Sequence, residues 1–255
     1  VLPVVDPVAN IQREHKLELE QLGQLTSVPA PDGLLSFRVP DLVLIPGLGA
    51  DERQFEPQRA AFPFLRVPRW LDWRPRETLA EYAARLGSSA GLTRDSIVGG
   101  SSFGGMLALE IAREFRCRAA VLIGSCRAPE AVSPMLRMIE RCARPIPAQL
   151  IGAATPLGAP LLRLFDPVRG EDARLLVRMG RDADPVFLKR GGRALFNWPG
   201  CADPAVPVFH IHGTRDPFIP AARVKPDILL EGHGHFLNLT APAEINRFLT
   251  SVLDC

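Results

Sequence analysis

Four short segments carry the residue types best suited to chemistry. Gly99-Gly-Ser-Ser-Phe-Gly-Gly105 contains a G-x-S-x-G frame as Gly100-Ser101-Ser102-Phe103-Gly104. A serine at its centre can attack an acyl carbon if the chain reverses sharply there. Glycine two residues to either side, here Gly100 and Gly104, is what lets strand and helix close in on such a turn. The frame selects Ser102, since centring it on Ser101 would put Phe103 where a glycine is needed. His210-Ile-His-Gly-Thr-Arg-Asp216 ends in a carboxylate able to fix the tautomer of a histidine and stabilise its imidazolium. Glu231-Gly-His-Gly-His-Phe236 offers that histidine twice over, as His233 or His235. Pro46-Gly-Leu-Gly49 is a glycine-rich turn whose Leu48 amide, paired with the amide of Phe103, suits a developing oxyanion.

Each segment also has a plainer reading. The first is a Gly/Ser-rich turn, Asp216-Pro217 is a common turn pair, and Pro46–Gly49 is a plain loop. His210 and His212 alternate on a strand and are best read as packed, hydrogen-bonded core histidines. A metal held by His210, His212, His233 and His235 lacks a supporting carboxylate or Cys cluster at ligand spacing, so no metal is expected.

The elements around these segments give the motifs their meaning. Asp41–Ile45 reads as a buried strand, Asp51–Phe62 as a helix, Phe64–Val67 as a weak strand and Glu77–Ser89 as an amphipathic helix. Ser96–Gly99 is a short strand, Met106–Phe115 a central helix and Ala119–Gly124 a buried strand. After residues 127–200 the alternation resumes with strands at Val206–His212 and Asp227–Leu230 and a helix over Pro242–Leu253. Strand and helix in repetition imply an α/β protein with a mostly parallel central sheet and helices on both faces. The G-x-S-x-G frame then lies between a strand and a helix, and Asp216 just past a strand end.

Residues 127–200 interrupt this rhythm with Pro-punctuated helical pieces and read as a helical cap inserted above the sheet. Met135, Met138, Ile139 and Cys142 fall at helical spacing, as do Leu175, Leu176 and Met179. Met135, Met138, Ile139, Leu175 and Met179 are the expected pocket surface. The expected organisation is therefore an appendage over 1–33, partly helical between Asn10 and Leu25, a core from 34–126 and 201–255, and the insertion. Leu34–Val39 offers one further strand.

Bulk properties narrow the classes. With 255 residues, one domain with an insertion is expected, and a formal net charge of +2 gives no footing for nucleic acid. Lysine occurs only at 16, 189 and 225 among 30 basic residues. The insertion carries +5 and the remainder −3, with Arg137, Arg141 and Arg144, and Arg174, Arg178 and Arg181, in two basic stripes. These suit an acidic substrate or an acidic carrier protein, although a solvated face in an Arg-rich chain is the more economical reading. Five cysteines show no C-x-x-C pair and fit free thiols in a reducing compartment. No apolar run reaches the roughly 18 residues of a membrane span, so a cytoplasmic location is expected.

Together the four segments, in the order Ser…Asp…His, resemble the α/β-hydrolase family, in particular its small bacterial esterase-like members, over about residues 41–253. The resemblance implies Ser102 as nucleophile, Asp216 as acid and His235 as base, with the Leu48 and Phe103 amides as oxyanion hole and no cofactor. It implies a serine hydrolase acting on a small-molecule carboxylic ester through an acyl-enzyme. A thioesterase, amidase, C–C hydrolase or cofactor-free perhydrolase would use the same residues, and a non-catalytic binding protein could keep the scaffold. Oligomeric state has no sequence signature here. One departure stands out: many family members carry His-Gly at the oxyanion loop, where this chain has Pro46-Gly47.

Overall fold

A computed structural model describes residues 41–148, 150, 168 and 170–255. The appendage over 1–33 and the strand at Leu34–Val39 lie outside the described residues. Among the described residues five strands form one parallel sheet in chain order: β1 (Asp41–Ile45), β2 (Ser96–Ser101), β3 (Ala119–Ile123), β4 (Val208–Gly213) and β5 (Ile228–Leu230). Parallel neighbours need crossovers, and helices supply them on both faces of the sheet. Alternation along each strand divides the core. Val43, Ile45, Val98, Ala120 and Leu122 face one apolar cluster, and Leu42, Leu44, Ile97, Val121 and Ile123 face the other.

The crossover helices follow from local signals. After a 3-10 turn capped by Asp51, α1 (Glu56–Ala61) begins with Pro57 in its first turn. Helix α2 (Leu79–Ser89) starts in a capping box, Thr78 and Glu81 bonding each other's backbone. Helix α3 (Phe103–Phe115) is buried over its first ten residues, and so begins three residues before the apolar stripe alone suggests. The weak strand at Phe64–Val67 is reduced to a single bridge, Arg66 beside Val43, with Arg66 exchanging bonds with Leu42 and Leu44. Pro63 and Pro68 bracket it and have no N–H to extend the ladder.

Between β3 and β4 lie α4 (Pro134–Ala143), α5 (Gly170–Asp182) and α6 (Pro185–Asn197). They are held very unequally. Phe187 of α6 sits among Trp70, Trp73, Tyr82 and Phe103, with Trp73 stacked on Tyr82 at 4.0 Å. Just beyond α6, the Trp198 indole donates to buried Glu110 at 2.7 Å. Helix α4, by contrast, buries none of its residues fully. The chain ends in α7 (Leu237–Thr240) and α8 (Pro242–Leu253), the latter packing Ile245, Phe248, Leu249 and Val252 under the sheet. Among the described residues no helix is long and apolar enough to cross a membrane.

Candidate active site

The elbow between β2 and α3 is built from backbone contact. Ser102 adopts φ 53°, ψ −119°, a left-handed conformation costly for a residue with a side chain. Its amide donates to Ile123 O at 3.0 Å, and its carbonyl accepts from the Gly105 amide at 3.0 Å and from Ser125 Oγ at 2.6 Å. A Cβ on Gly100 would stand 2.3 Å from the Gly104 carbonyl carbon, and one on Gly104 only 2.1 Å from Ile45 O. Both glycines are therefore required by the packing. The choice between the two serines is equally physical. Ser101 is buried and its Oγ accepts from Gln54 Nε2 at 3.0 Å, whereas Ser102 lines a cavity of about 440 Å³.

The turn after β1 meets this elbow, and Leu48 and Phe103 both line the same cavity. It is braced by Gln54, a residue the sequence reading passed over. Gln54 Oε1 accepts from the Gly47 amide at 2.8 Å while its Nε2 holds Ser101, so one buried amide spans the loop and the elbow. Its only sequence trace is a glutamine beside Phe55 in a helical stretch, indistinguishable from a surface glutamine.

Asp216 follows β4 and is buried. Its Oδ1 accepts from the amides of Phe218 and Ile219, both at 2.8 Å, and its Oδ2 accepts from His235 Nδ1 at 2.6 Å. That bond turns the Nδ1 edge of the ring towards the carboxylate. Burial alone would raise the Asp216 carboxyl. The neighbouring His235, helped by the Ile219 amide and by His212, outweighs it and holds the group below the usual carboxylate range. The loop carrying His235 lies directly on the sheet edge. A Cβ on Gly213 would stand 2.3 Å from Gly234 O, and one on Gly124, at φ +53°, 2.9 Å from His235 O. Phe218 and Phe236 fix the His235 ring edge-on at 5.0 and 5.3 Å.

His235 lines the cavity with Ser102, while His233 is half-buried and outside it. His210 and His212 are buried behind Asp216. His210 Nε2 meets His212 Nδ1 at 3.3 Å, and His212 Nε2 donates to Ile219 O at 2.8 Å. Burial, then the neighbouring His212, pushes His210 down to about 3, so it is neutral at ordinary pH. Among the described residues no group of three His, Cys, Asp or Glu is arranged to hold a metal.

The cavity wall corrects the expected pocket surface. Ile139 and Met179 line it, but Met135, Met138 and Leu175 do not. Leu136, Ile139, Glu140 and Ala143 of α4 face inwards instead, with Leu176, Met179 and Gly180 of α5. Met138 is 63% exposed. Helix α4 is apolar on two adjacent faces, and the face one residue further along the chain is the one turned to the cavity. Nor are the arginines of the first stripe equivalent. Arg137 donates to Pro129 O at 3.0 Å and stacks over Phe196, and Arg144 pairs with Glu140 at 2.8 Å.

A family profile described as the alpha/beta hydrolase family matches residues 30–248. The chain belongs to this family. The fold of this alpha/beta hydrolase is shared with solved structures at low identity. A thermophilic esterase from Thermogutta terrifontis has a TM-score of 0.67 at 20% identity, covering 84% of this chain and 89% of its own. An enol-lactonase from Burkholderia xenovorans LB400 gives 0.64 at 18%, covering 88% and 95%. A hydrolase from Pseudomonas aeruginosa PA01 gives 0.66 at 19%, covering 88% and 92%. Comparison with curated protein sequences finds no match.

Proposed function

We propose that this alpha/beta hydrolase is a serine hydrolase of carboxylic esters, with Ser102 as nucleophile, His235 as base and Asp216 as acid. The observation that carries the reading is the pairing of His235 Nδ1 with Asp216 Oδ2 at 2.6 Å, beside a cavity that His235 shares with the strained Ser102. His235 Nε2 takes the Ser102 proton as Oγ attacks the ester carbonyl, and the tetrahedral oxyanion is met by the amides of Leu48 and Phe103. His235 then returns the proton to the departing alkoxide, leaving an acyl-enzyme. Water, deprotonated by the same nitrogen, attacks that acyl group and releases the acid.

Residues 127–200 act in this reading as a cap over the reacting edge. Leu136, Ile139, Leu176, Met179 and Phe196 line the cavity with Ser102, as a surface gripping an acyl or alcohol chain would. A fluorophosphonate probe tests the reading. It should label the wild type and not Ser102→Ala, and a panel of esters, thioesters and amides should show esters turned over fastest. An unlabelled, folded wild type would refute it.

A further inference from the structure

The cavity's walls are mostly apolar, yet four charged side chains stand among them: Glu140 from α4, Arg144 just beyond its end, and Lys189 and Arg193 from α6. Their balance is positive. Glu140 holds Arg144 through both carboxylate oxygens, at 2.8 and 3.0 Å from its Nε, so this pair is internally neutral. Lys189 donates from Nζ to the Ile146 carbonyl at 2.5 Å, a neutral acceptor that leaves its charge uncompensated. Arg193 has no hydrogen bond or ion pair among the described residues and is exposed to solvent. Two unneutralised cations thus lie one turn apart on the same face of α6, where like charges repel.

Helix α6 packs closely against Leu48. A Cβ on Gly191 would stand 2.8 Å from Leu48 Cδ1, and one on Gly192 3.9 Å from Glu140 Cγ and 4.0 Å from Leu48 Cδ2. The glycine pair therefore lets α6 lie against the proposed oxyanion loop, with Lys189 and Arg193 flanking that contact. Leu188, Phe196 and Met179 line the same cavity as Ser102, Lys189 and Arg193, so one ligand can meet the serine, apolar surface and the cations. Because Arg193 keeps access to water, an anion beside it retains part of its hydration. That avoids the heavy cost of burying an unpaired charge in the apolar interior.

We propose that the substrate carries an anionic end, a carboxylate remote from the scissile ester, and that Arg193 with Lys189 binds it. Arg193 supplies the planar, paired donors that match a carboxylate, and Lys189 adds a second charge one turn away. This deepens the hydrolase reading and rests on it only for which end reacts.

The test uses Ser102→Ala protein and the mono-methyl esters of butane-, hexane- and octanedioic acid, each set against the neutral methyl ester of equal chain length. Calorimetry at low salt should give at least one acidic ester that binds about ten-fold or more tightly than its neutral counterpart. That preference should shrink as ionic strength rises and fall to within about two-fold when Arg193→Gln is added. Equal affinities throughout the series would overturn the proposal, as would a preference that survives Arg193→Gln and Lys189→Gln together, or no measurable binding of any acidic ester. Turnover by the wild type separates the two readings. If the preference holds and no ester is cleaved, the anion site stands and the hydrolase reading falls; if neutral and acidic esters are cleaved and bound alike, the reverse holds.

Discussion

The two sides of the cavity are made differently. On the sheet side every proposed reacting group is fixed by main chain: Ser102 by the Ile123 carbonyl, Asp216 by two amides, and the His235 loop by its contact with the Gly213 and Gly124 positions. Across from it, α4 contributes side chains from a helix with no fully buried residue, although α6 is anchored by Phe187 and by the neighbouring Trp198. Chemistry here is held by backbone geometry that few residue types can satisfy. Shape is held by side chains that many sequences could replace. The first region should therefore respond to substitution steeply, and the second shallowly and in selectivity more than in rate.

The steepest effect belongs to Asp216→Asn. It preserves an acceptor for the Phe218 and Ile219 amides but removes the charge beside His235, so kcat for the best ester should fall about 10⁴-fold while the protein remains folded. His233→Ala, outside the cavity, should cost no more than a few-fold. Steady-state kinetics with circular dichroism as the folding check would settle both, and a His233 effect rivalling that of His235→Ala would move the base to the other histidine.

Gln54→Leu should come next. It strands the Gly47 amide and the Ser101 hydroxyl in a buried site, at about 1–3 kcal/mol of stability for each unsatisfied group, and frees the loop that carries Leu48. Ester turnover should drop about 10- to 100-fold, within the range for weakening one oxyanion donor, with KM little changed. A variant equal to wild type in both kcat and denaturant midpoint would show that the loop holds itself.

The shallowest effects should separate two neighbouring residues of α4. Leu136→Ala enlarges the cavity and should shift the preferred ester chain length upwards. Met138→Ala, on the exposed face, should change stability by less than about 0.5 kcal/mol and leave selectivity alone. A chain-length profile for each variant reads this directly. If Met138→Ala shifts the profile as far as Leu136→Ala does, α4 is turned the other way in the working enzyme.

The same contrast explains what could be read from the sequence. The elbow was legible because its backbone leaves no alternative to Gly100 and Gly104. Gln54 was not, because its partners lie 7 and 47 residues away and nothing in a local pattern marks a polar side chain as a bridge. The α4 face was misjudged by one residue because Met135, Leu136, Met138 and Ile139 spread apolar character over an arc of about 160° at roughly 100° per residue, so periodicity fixes the helix and not its rotation. The strand at Phe64–Val67 failed against its flanking prolines, whose effect on pairing outweighs the apolar run.

The sheet's strand order also has a consequence in time. Because β1 to β5 are laid down side by side in chain order, the elbow has all its backbone partners once residue 125 is made. The proposed base at position 235 arrives 110 residues later, roughly 5–20 s afterwards at ribosomal speeds of about 5–20 residues per second. During that interval the proposed nucleophile has no partner to deprotonate it. In the proposed mechanism, activity is thus withheld until the chain beyond the last strand has been made.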